Sequence, residues 1–317
     1  MKIAFLLYPT AGVKVNEDSS FWIMRELARR GHQVFYFESK DLIGREDGPW
    51  AYLRRARLDV RRGYLPSPLS AKATNLSALD SLFIRKEPPF DNAYLYALQL
   101  LELVKDRVFV LNDPAGIAIA NEKTFTCRFP KYVPETLITE DPARAAHFVR
   151  NVGRKMVVKP LNEKGGKGVF AVSPGDPALL PKLETATRHA AEKILLQRFI
   201  PENNRGDKRI LILNGGILGA FLRKPSRRDF RANLSQGGTM HRASVAPWER
   251  RLVESMAPEL ARYGLWFVGI DVIGRFLTEV NVTSPAGIPE INFFEKSRPE
   301  RDVADFIERR SADRRRF

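Results

Sequence analysis

Three oxygen-bearing side chains near the end of the sequence, Asp271, Glu279 and Asn281, are well suited to binding a cation. They lie in two apolar runs, 267–273 and 276–282, which are separated only by a Gly-Arg dipeptide. Such a pair of runs predicts a β-hairpin. Residues two apart on a strand point to the same face, so Glu279 and Asn281 project together and Asp271 lies opposite them or one step away. Carboxylate and amide oxygens are ligands that Mg²⁺ takes alongside phosphate oxygens, so the hairpin predicts a Mg²⁺ site. An exposed polar sheet face is the alternative, which the apolar neighbours disfavour.

Basic side chains stand at the ends of predicted strands, where a phosphate group would account for them. Lys159 ends the apolar run 156–158 just before a proline, where simple hydration of an ammonium group is poor. Lys208 and Arg209 begin a predicted hairpin strand, and Arg223 ends it. The remaining basic or amide candidates are Lys123, which follows Asn-Glu at 121–122, and Arg231 and Asn233, which lie just before Gly-Gly at 237–238. Each of them alone is most often a surface charge, so only a common position in the fold can show a phosphate site.

A glycine-rich stretch at 165–168 lies between the predicted strands 156–158 and 169–172. Gly165 and Gly166 would let backbone N–H groups approach phosphate oxygens. A plain β-turn is the commoner explanation of a glycine cluster. The stretch lacks the Gly-Lys-Ser/Thr ending of a Walker A loop, and the strand–loop–strand order is not that of a Rossmann fingerprint.

The secondary-structure elements that must position these residues follow one pattern before about residue 120 and another pattern after it. An apolar run at 3–8, a capped helical pattern after Asp18 and a second run at 33–37 predict an α/β unit with a parallel sheet. The pattern continues with a strand at 82–84, a helix at 94–104 and a strand at 108–111, and a domain boundary is expected near residue 120. The later elements are the two strands around the glycines, a hairpin over 210–222, a helix at 253–263 and the last hairpin.

The charge of the chain raises a second class of function. The 317 residues carry a formal charge of +15 and a pI of about 10, which would attract polyanions. The arginines cluster at 54–62 and 309–316, without interleaved aromatic residues, and the second cluster reaches into a polar tail that is expected to be poorly ordered. A solvated basic surface that suits anionic substrates is favoured over a non-enzymatic nucleic-acid binder, and no specific nucleic acid is expected as a partner.

The number of cysteines and the apolar stretches of the sequence indicate the cellular compartment of the protein. The single cysteine, Cys127, excludes an internal disulfide, and the four histidines are too far apart for metal-ligand spacing. The apolar start at 3–8 is too short for a signal peptide, and the apolar stretch at 210–222 is interrupted by Asn-Gly-Gly. A cytoplasmic protein without a membrane span is therefore expected.

The order of these parts resembles an ATP-grasp enzyme, and longer strings are similar to those of bacterial glutathione synthetase. The most specific are Arg-Lys-Glu-Pro-Pro-Phe-Asp at 85–91 and Glu-Val-Asn-Val-Thr-Ser-Pro at 279–285, within a colinear resemblance from about residue 3 to about residue 291. The resemblance implies an α/β fold in which an N-terminal parallel-sheet domain, Rossmann-like and preceding the ATP-grasp, is followed by a two-lobed ATP-grasp domain with mixed or antiparallel sheets. The implied bounds are 1–120 for the N-terminal substrate domain, 121–200 for the small lobe, 201–310 for the large lobe and 311–317 for the basic tail.

The resemblance also implies a role for each candidate residue. ATP would be bound by Lys123, Lys159, Gly165, Gly166, Gln197, Phe199, Ile200, Asp207 and Lys208. Mg²⁺, with Mn²⁺ as a substitute, would be held by Asp271, Glu279 and Asn281. The catalytic residues would be Arg209, Arg223, Arg231 and Asn233, the last two within a lid at 224–238. The γ-glutamyl peptide would be surrounded by Asp18, Ser19, Ser20, Arg85, Lys86, Ser284 and Pro285.

The implied reaction joins γ-glutamylcysteine to glycine through an acyl phosphate, giving glutathione, ADP and phosphate, in a homo-oligomer that is a dimer or a tetramer. The chain departs from the family at Asn162 and Glu163 in the phosphate loop and at Ala286 and Pro289 near the acceptor side. These departures leave open a ligase of the same type with a different acid or amine. A degenerate protein that binds nucleotide without catalysis is disfavoured because the metal set and both lysines are present.

Overall fold

The computed structural model describes residues 1–10, 13–56, 70–226 and 237–314, which form three β-sheets and eight α-helices. No helix within these ranges is both long and apolar enough to cross a membrane.

The first sheet has a parallel centre that is extended by antiparallel strands at one edge. Its strands are β1 (Lys2–Leu7), β2 (Gln33–Glu38), β3 (Leu42–Arg45), β4 (Gly48–Arg55), β5 (Lys72–Asn75), β6 (Ser81–Arg85) and β7 (Phe109–Leu111). They are ordered β3-β4-β2-β1-β6-β7, with β5 on β4, and β1 pairs in parallel with β2 and β6. This confirms the predicted parallel unit, since β1 is buried from its second residue onward.

Three helices belong to this part of the chain, and aspartates begin all of them. They are α1 (Ser19–Arg29), α2 (Asn92–Glu102) and α3 (Pro114–Ile119). Asp18 caps α1 by accepting a hydrogen bond from the Ser20 N–H at 2.7 Å, as its place before the helical pattern predicts. The cap fixes where α1 begins, and so where Ser19 and Ser20 point.

The second sheet forms a small lobe with its own core. The lobe contains β8 (Thr136–Thr139), α4 (Pro142–Val152), β9 (Met156–Pro160), β10 (Phe170–Val172), α5 (Leu179–Ala186) and β11 (Ile194–Arg198). The strand order is β10-β9-β11-β8 and every pairing is antiparallel. Its core, which includes Val149 and Leu196, is separate from the cores of the rest of the molecule.

The third sheet is antiparallel and carries the two predicted hairpins. Its elements are β12 (Asp207–Leu213), β13 (Gly216–Lys224), β14 (Thr239–Arg242), α6 (Pro247–Arg262), β15 (Phe267–Ile273) and β16 (Phe276–Asn281), followed by α7 (Ile288–Glu295) and α8 (Pro299–Arg314). The strand order is β14-β13-β12-β15-β16.

The first and third sheets are joined by shared apolar cores. Leu6 and Ile270 belong to one buried cluster, and the rings of Phe83 and Phe267 meet edge to face at 5.8 Å. The side chain of Asn112 donates hydrogen bonds to the carbonyls of Phe267 (2.8 Å) and Val282 (2.9 Å). The molecule therefore consists of one large packed body and a small lobe, and a cleft lies between them.

The C-terminal segment contradicts the expectation of a poorly ordered tail. Residues up to 314 continue α8, and Ser311 is buried. Arg30, the C-cap residue of α1, donates hydrogen bonds to Asp305 (2.5 Å) and Glu308 (2.8 Å), and the Arg310 guanidinium lies 4.7 Å from the centre of a tryptophan ring. Much of the second arginine cluster is thus part of a packed helix, whereas residues 315–317 lie outside the described ranges.

Candidate active site

A cleft with about 970 Å³ of empty space separates the small lobe from the large body. One wall is formed by β9, β11 and the glycine-rich loop, and the other by β12, β13, β15 and β16. The predicted residues that line it are Lys123, Lys159, Gly165, Gly166, Gln197, Phe199, Ile200, Asp207, Arg209, Arg223, Asp271, Glu279 and Asn281. The structure thus brings residues from distant parts of the sequence into one place.

The last hairpin has the register that the sequence predicts. Asp271 pairs directly with Glu279, and Gly269 pairs with Asn281, so the three polar side chains share one sheet face. Glu279 keeps 29% of its side chain exposed toward the cleft, whereas only 3% of the Asp271 side chain is exposed. The described residues contain no group of three or more histidine, cysteine, aspartate or glutamate side chains placed to hold a metal. The donor set is therefore two carboxylates and an amide.

Asp271 is held by two arginines from the neighbouring strands. Arg209 donates from Nε (2.5 Å) and Nη2 (2.9 Å), and Nη2 of Arg223 lies 2.9 Å from the same carboxylate. Burial opposes ionisation, yet the charges and hydrogen bonds of the two arginines hold the pKa of Asp271 well below its ordinary value. Asp271 therefore stays ionised and fixes both guanidinium groups at the floor of the cleft.

Asp207 occupies a different electrostatic position beside the same arginine. Its Oδ2 accepts a hydrogen bond from Arg223 Nη2 at 2.5 Å, and the two residues are paired across β12 and β13. Burial and the nearby charge of Asp271 nevertheless raise the pKa of Asp207 to about 6, although Arg223 pulls it down. The other carboxyl oxygen of Asp207, Oδ1, is buried without a hydrogen-bond partner in the described structure.

Two lysine ammonium groups face the cleft and are held mainly by neutral oxygens. Lys159 Nζ lies 3.2 Å from the Gln197 side-chain oxygen and 3.9 Å from Glu279. Lys123 Nζ donates to the Glu163 carbonyl at 2.7 Å, within the glycine-rich loop. Burial, aided by Lys123, lowers the pKa of Lys159. This arrangement leaves positive charge near the glycines available to a polyanion.

The glycine-rich loop makes tight turns that require glycine. Gly165 and Gly166 have φ angles of +65° and +75°, which side chains rarely tolerate. The loop is closed by hydrogen bonds from Lys167 N to the Lys164 carbonyl and from Val169 N to the Gly166 carbonyl, both at 3.2 Å. Its backbone lies at the mouth of the cleft, next to the two lysines.

Lys208 does not join the cleft, which corrects the predicted role in ATP binding. Side chains alternate along β12, so Asp207 and Arg209 face the cleft and Lys208 faces the other side of the sheet. There its ammonium lies 2.7 Å from a carboxylate oxygen of buried Glu249 and donates to the Ser244 carbonyl at 2.9 Å. Lys208 is a structural ion-pair partner of α6.

The predicted acid-binding residues form a buried network beside the cleft. Arg85 is fully buried, and it donates to Ser20 Oγ (3.0 Å) and to the Pro285 carbonyl (2.9 Å). Ser19 Oγ accepts hydrogen bonds from two backbone N–H groups, those of residues 287 and 288. Both serine hydroxyls are thus fully buried and used within the protein, so they position the 284–288 segment rather than presenting themselves to a ligand.

Other predicted residues lie around this network. Asp18 accepts a hydrogen bond from the Tyr8 hydroxyl at 2.6 Å, and Arg209 Nη1 donates to the Ala286 carbonyl at 3.2 Å, which links the network to the cleft. The Lys86 ammonium lies 4.2 Å from the centre of the Tyr94 ring. Ser284 is half-buried and Pro285 is buried, whereas the predicted catalytic residues Arg231 and Asn233 lie outside the described ranges.

Glu122 is a cleft residue to which the sequence reasoning assigned no role. It lines the cleft, and its Oε1 accepts a hydrogen bond from the Thr283 hydroxyl at 2.6 Å. Burial and the charge of Glu279 raise the pKa of Glu122. In the sequence, only its position between Asn121 and Lys123 could have indicated that Glu122 lies in the cleft.

Comparisons with known proteins agree with this arrangement of parts. Residues 1–118 match the family model of the prokaryotic glutathione synthetase N-terminal domain, and residues 122–296 match that of the prokaryotic glutathione synthetase ATP-grasp domain. The chain is 38% identical over 302 residues to the glutathione synthetase of Thermosynechococcus vestitus, covering 92% of this chain and 95% of the relative. It is 37% identical over 293 residues to the glutathione synthetase of Coxiella burnetii, covering 92% and 91%.

Solved structures with low sequence identity share the fold. D-cycloserine synthetase DcsG superposes with a TM-score of 0.68 at 14% identity, over 97% of this chain and all of that one. D-alanyl-alanine synthetase A from Vibrio cholerae gives a TM-score of 0.65 at 12% identity, over 98% of each chain. The predicted combination of an N-terminal parallel sheet with a two-lobed ATP-grasp domain is confirmed.

Proposed function

This chain belongs to the prokaryotic glutathione synthetase family, and we propose that its cleft joins γ-glutamylcysteine to glycine at the expense of ATP. The activity is that of an ATP-dependent ligase, in which ATP and a divalent metal act together with small-molecule substrates. The product would be glutathione, released with ADP and phosphate.

The observation that carries this proposal is the pair of lysine ammonium groups beside the glycine-rich loop. Lys123 is bonded to a loop carbonyl, and Lys159 is 3.9 Å from its nearest carboxylate, so neither positive charge is closely neutralised within the described residues. A triphosphate chain would supply the missing negative charge and would accept hydrogen bonds from both lysines. Phe199 and Ile200, which directly follow β11, would then flank the base, and Asp207 would meet the ribose.

The donor chemistry of the last hairpin fits a divalent cation. Glu279 faces the cleft with its carboxylate 3.9 Å from the Lys159 ammonium, and Asn281 projects beside it on the same strand. Glu279 and Asn281 would hold Mg²⁺, with Asp271, whose oxygens are bound by Arg209 and Arg223, as the third proposed ligand, and the ion would neutralise phosphate charge when it is bound. Mn²⁺ offers the same preference for oxygen ligands and would substitute.

The proposed reaction has two steps, and the protein contributes mainly position and charge. A carboxylate oxygen of the acid attacks the γ-phosphorus of ATP, and the bond from that phosphorus to the ADP oxygen breaks. The amine of glycine then attacks the acyl carbon, phosphate leaves, and the amine gives up a proton. Arg209 and Arg223, fixed by Asp271, would stabilise the negative charge that develops on the transferred group. Arg231 and Asn233 stay predicted members of the lid that would exclude water.

The buried network at the N-terminal domain supports a place for the acid substrate. The Nη1 group of Arg85 is buried and has no hydrogen-bond partner in the described structure. Leaving a buried donor unpaired costs about 1–3 kcal/mol, and a carboxylate of the acid would remove that cost. The charge of Asp18 acts on Arg85, and Asp18, Lys86 and Ser284 stay predicted contacts of the peptide.

The proposal is tested by measuring ADP release from MgATP with γ-glutamylcysteine, with and without glycine, and with a panel of other amines. Fast release that requires glycine, with glutathione as the product, supports the assignment. The departures from the family at Ala286 and Pro289, near the acceptor side, favour a second candidate, a ligase for another acid or amine. Proline has no backbone N–H with which to bind an acceptor substrate. ADP release that depends on another pair of acid and amine would establish that candidate. If no pair of acid and amine gave ADP release, the proposed ligase activity itself would be refuted.

Assembly and location also belong to the proposal. We expect a homodimer or homotetramer, which sedimentation of the purified chain would show, and a cytoplasmic location, which fractionation of cells would show. A monomer in sedimentation would contradict the first expectation, and recovery in a membrane fraction would contradict the second.

A further inference from the structure

The glycine-rich loop carries two lysines whose ion pairs differ in what they connect. Lys167 lies 3.0 Å from Glu163, so that both partners belong to the loop itself. Lys164 pairs instead with Glu87, which follows β6 in the N-terminal domain. The first ion pair is local, whereas the second spans two parts of the fold.

Each end of the Lys164–Glu87 pair belongs to a segment with a functional assignment. Lys164 lines the cleft directly before Gly165, and the Glu163 carbonyl on its other side receives the Lys123 ammonium. Glu87 comes two residues after the buried Arg85. Burial lowers the pKa of Lys164, and the charge of Asp18 opposes that shift. The pair therefore connects the phosphate end of the cleft to the acid-binding side.

The Lys164–Glu87 pair is partly exposed, but the packing around it makes the pair more important than that exposure suggests. The small lobe has its own core, while the N-terminal and large-lobe sheets share theirs, so polar contacts attach the loop to the body that it faces. Asn121 and Lys123 donate to the Leu161 and Glu163 carbonyls, and Lys164 adds the contact to the N-terminal domain. The loop at 161–163 faces Pro88 and Phe90 across a narrow crevice. Lys164 directly follows the lining residue Glu163 and Glu87 directly precedes the lining residue Pro88, and their side-chain exposures are 48% and 31%.

We propose that Lys164 and Glu87 are positioning residues that dock the phosphate-binding loop on the acid-binding segment, so that nucleotide and acid each strengthen the binding of the other. This inference rests on the proposed function. Such coupling is reciprocal, so the factor by which the acid tightens nucleotide binding equals the factor by which the nucleotide tightens acid binding.

The test is a charge-swap cycle measured by binding. The variants are Lys164→Glu, Glu87→Lys and the double variant, with Lys167→Glu as the matched control in the same loop. The dissociation constant of a non-hydrolysable ATP analogue with Mg²⁺ is measured with and without γ-glutamylcysteine. Partly exposed ion pairs contribute up to about 1 kcal/mol, so each single swap should reduce the coupling factor by about fivefold.

The double swap should restore the coupling factor to within about twofold of the natural protein, and Lys167→Glu should leave it within about twofold. Additive losses in the double variant would overturn the inference and would indicate that Lys164 acts directly on the phosphates. An equal loss in Lys167→Glu would overturn it as well, since any loop charge would then suffice. Failure of the proposed function is separate, because it appears as an unaltered protein that does not turn over γ-glutamylcysteine and glycine.

Discussion

Replacing Lys208 by methionine should destabilise the protein while leaving ATP binding almost unchanged. The Lys208 ammonium lies 2.7 Å from one Glu249 oxygen and donates to the other at 2.9 Å, on the sheet face that is turned away from the cleft. Methionine keeps most of the apolar stem but removes the charge. Glu249 would keep only the hydrogen bond from the Ala246 N–H, at 2.7 Å.

The expected loss follows from the burial of the two partners. Breaking a fully buried ion pair costs about 3–5 kcal/mol because the remaining charge is left without a partner. Here the side-chain exposures are 19% for Lys208 and 3% for Glu249, and one backbone N–H still serves the carboxylate. A loss of about 2–3 kcal/mol is therefore expected, and adding Glu249→Gln should recover part of it, because the isolated charge is then removed.

Urea unfolding followed by tryptophan fluorescence measures the stability, and the initial rate of ADP release measures the KM for ATP. We expect the KM to change by less than about twofold, since 1.4 kcal/mol would be needed for a tenfold change. A tenfold rise in KM with unchanged stability would refute the argument, because Lys208 would then face the nucleotide.

The Lys159→Met variant should show the opposite effects on stability and on ATP binding, and it serves as the comparison for Lys208→Met. Burial lowers the pKa of Lys159 in the folded protein, so the charged form carries a cost at neutral pH that disappears only above the ordinary pKa of 10.5. Methionine removes that cost, so the stability of the ligand-free variant should be unchanged or higher. The loss of a charge-assisted hydrogen bond to phosphate, about 1.5–3 kcal/mol, should raise the KM for ATP by about 10- to 100-fold.

Three further changes test other parts of the site. Glu279→Gln should raise the metal concentration that gives half-maximal activity by about tenfold or more, and an unchanged metal titration would place the cation elsewhere. Ser19→Ala should cost about 1–3 kcal/mol in urea unfolding because two buried N–H groups lose their acceptor, whereas Ser39→Ala, whose hydroxyl has no partner in the described structure, should cost little. Burial and Glu279 raise the pKa of Glu122, so its contribution to stability is full below the ordinary pKa of 4.5 and falls as pH rises through the raised value. The Glu122→Gln variant should therefore be more stable than the natural protein at neutral pH but not below pH 4.5. An equal gain in stability at both pH values would contradict the raised pKa of Glu122.

The hairpins were predictable from the sequence because their signals are local. Alternation and a two-residue turn place Glu279 and Asn281 on one face, and the structure adds only the direct pairing of Asp271 with Glu279. The same rule applied along β12 would have separated Lys208 from Asp207 and Arg209. The role of Lys208 in ATP binding was implied only by the family resemblance, and the strand geometry shows that this prediction was wrong.

Other features depended on contacts that no local pattern reveals. The helix α4 has recognisable signals, namely the capping Asp141 and the left-handed Gly153, yet it carries no chemistry and was not predicted. The small-lobe core and the shared cores of the other two sheets depend on which apolar faces meet. The burial of Ser19 likewise depends on a segment more than 260 residues away along the chain. Such pairings become visible only in three dimensions.

The position of α8 has a consequence for how the chain acquires its structure during synthesis. This helix is synthesised long after α1 and β7, on which it packs, and its Val303, Phe306 and Ile307 are buried in the same cluster as Phe5. The first sheet therefore emerges from the ribosome with part of one face uncovered, and it stays so until residues 299–314 have also emerged. A nascent chain stalled at residue 298 should consequently be cut by protease within α1, whereas one that has released residues 299–314 should resist.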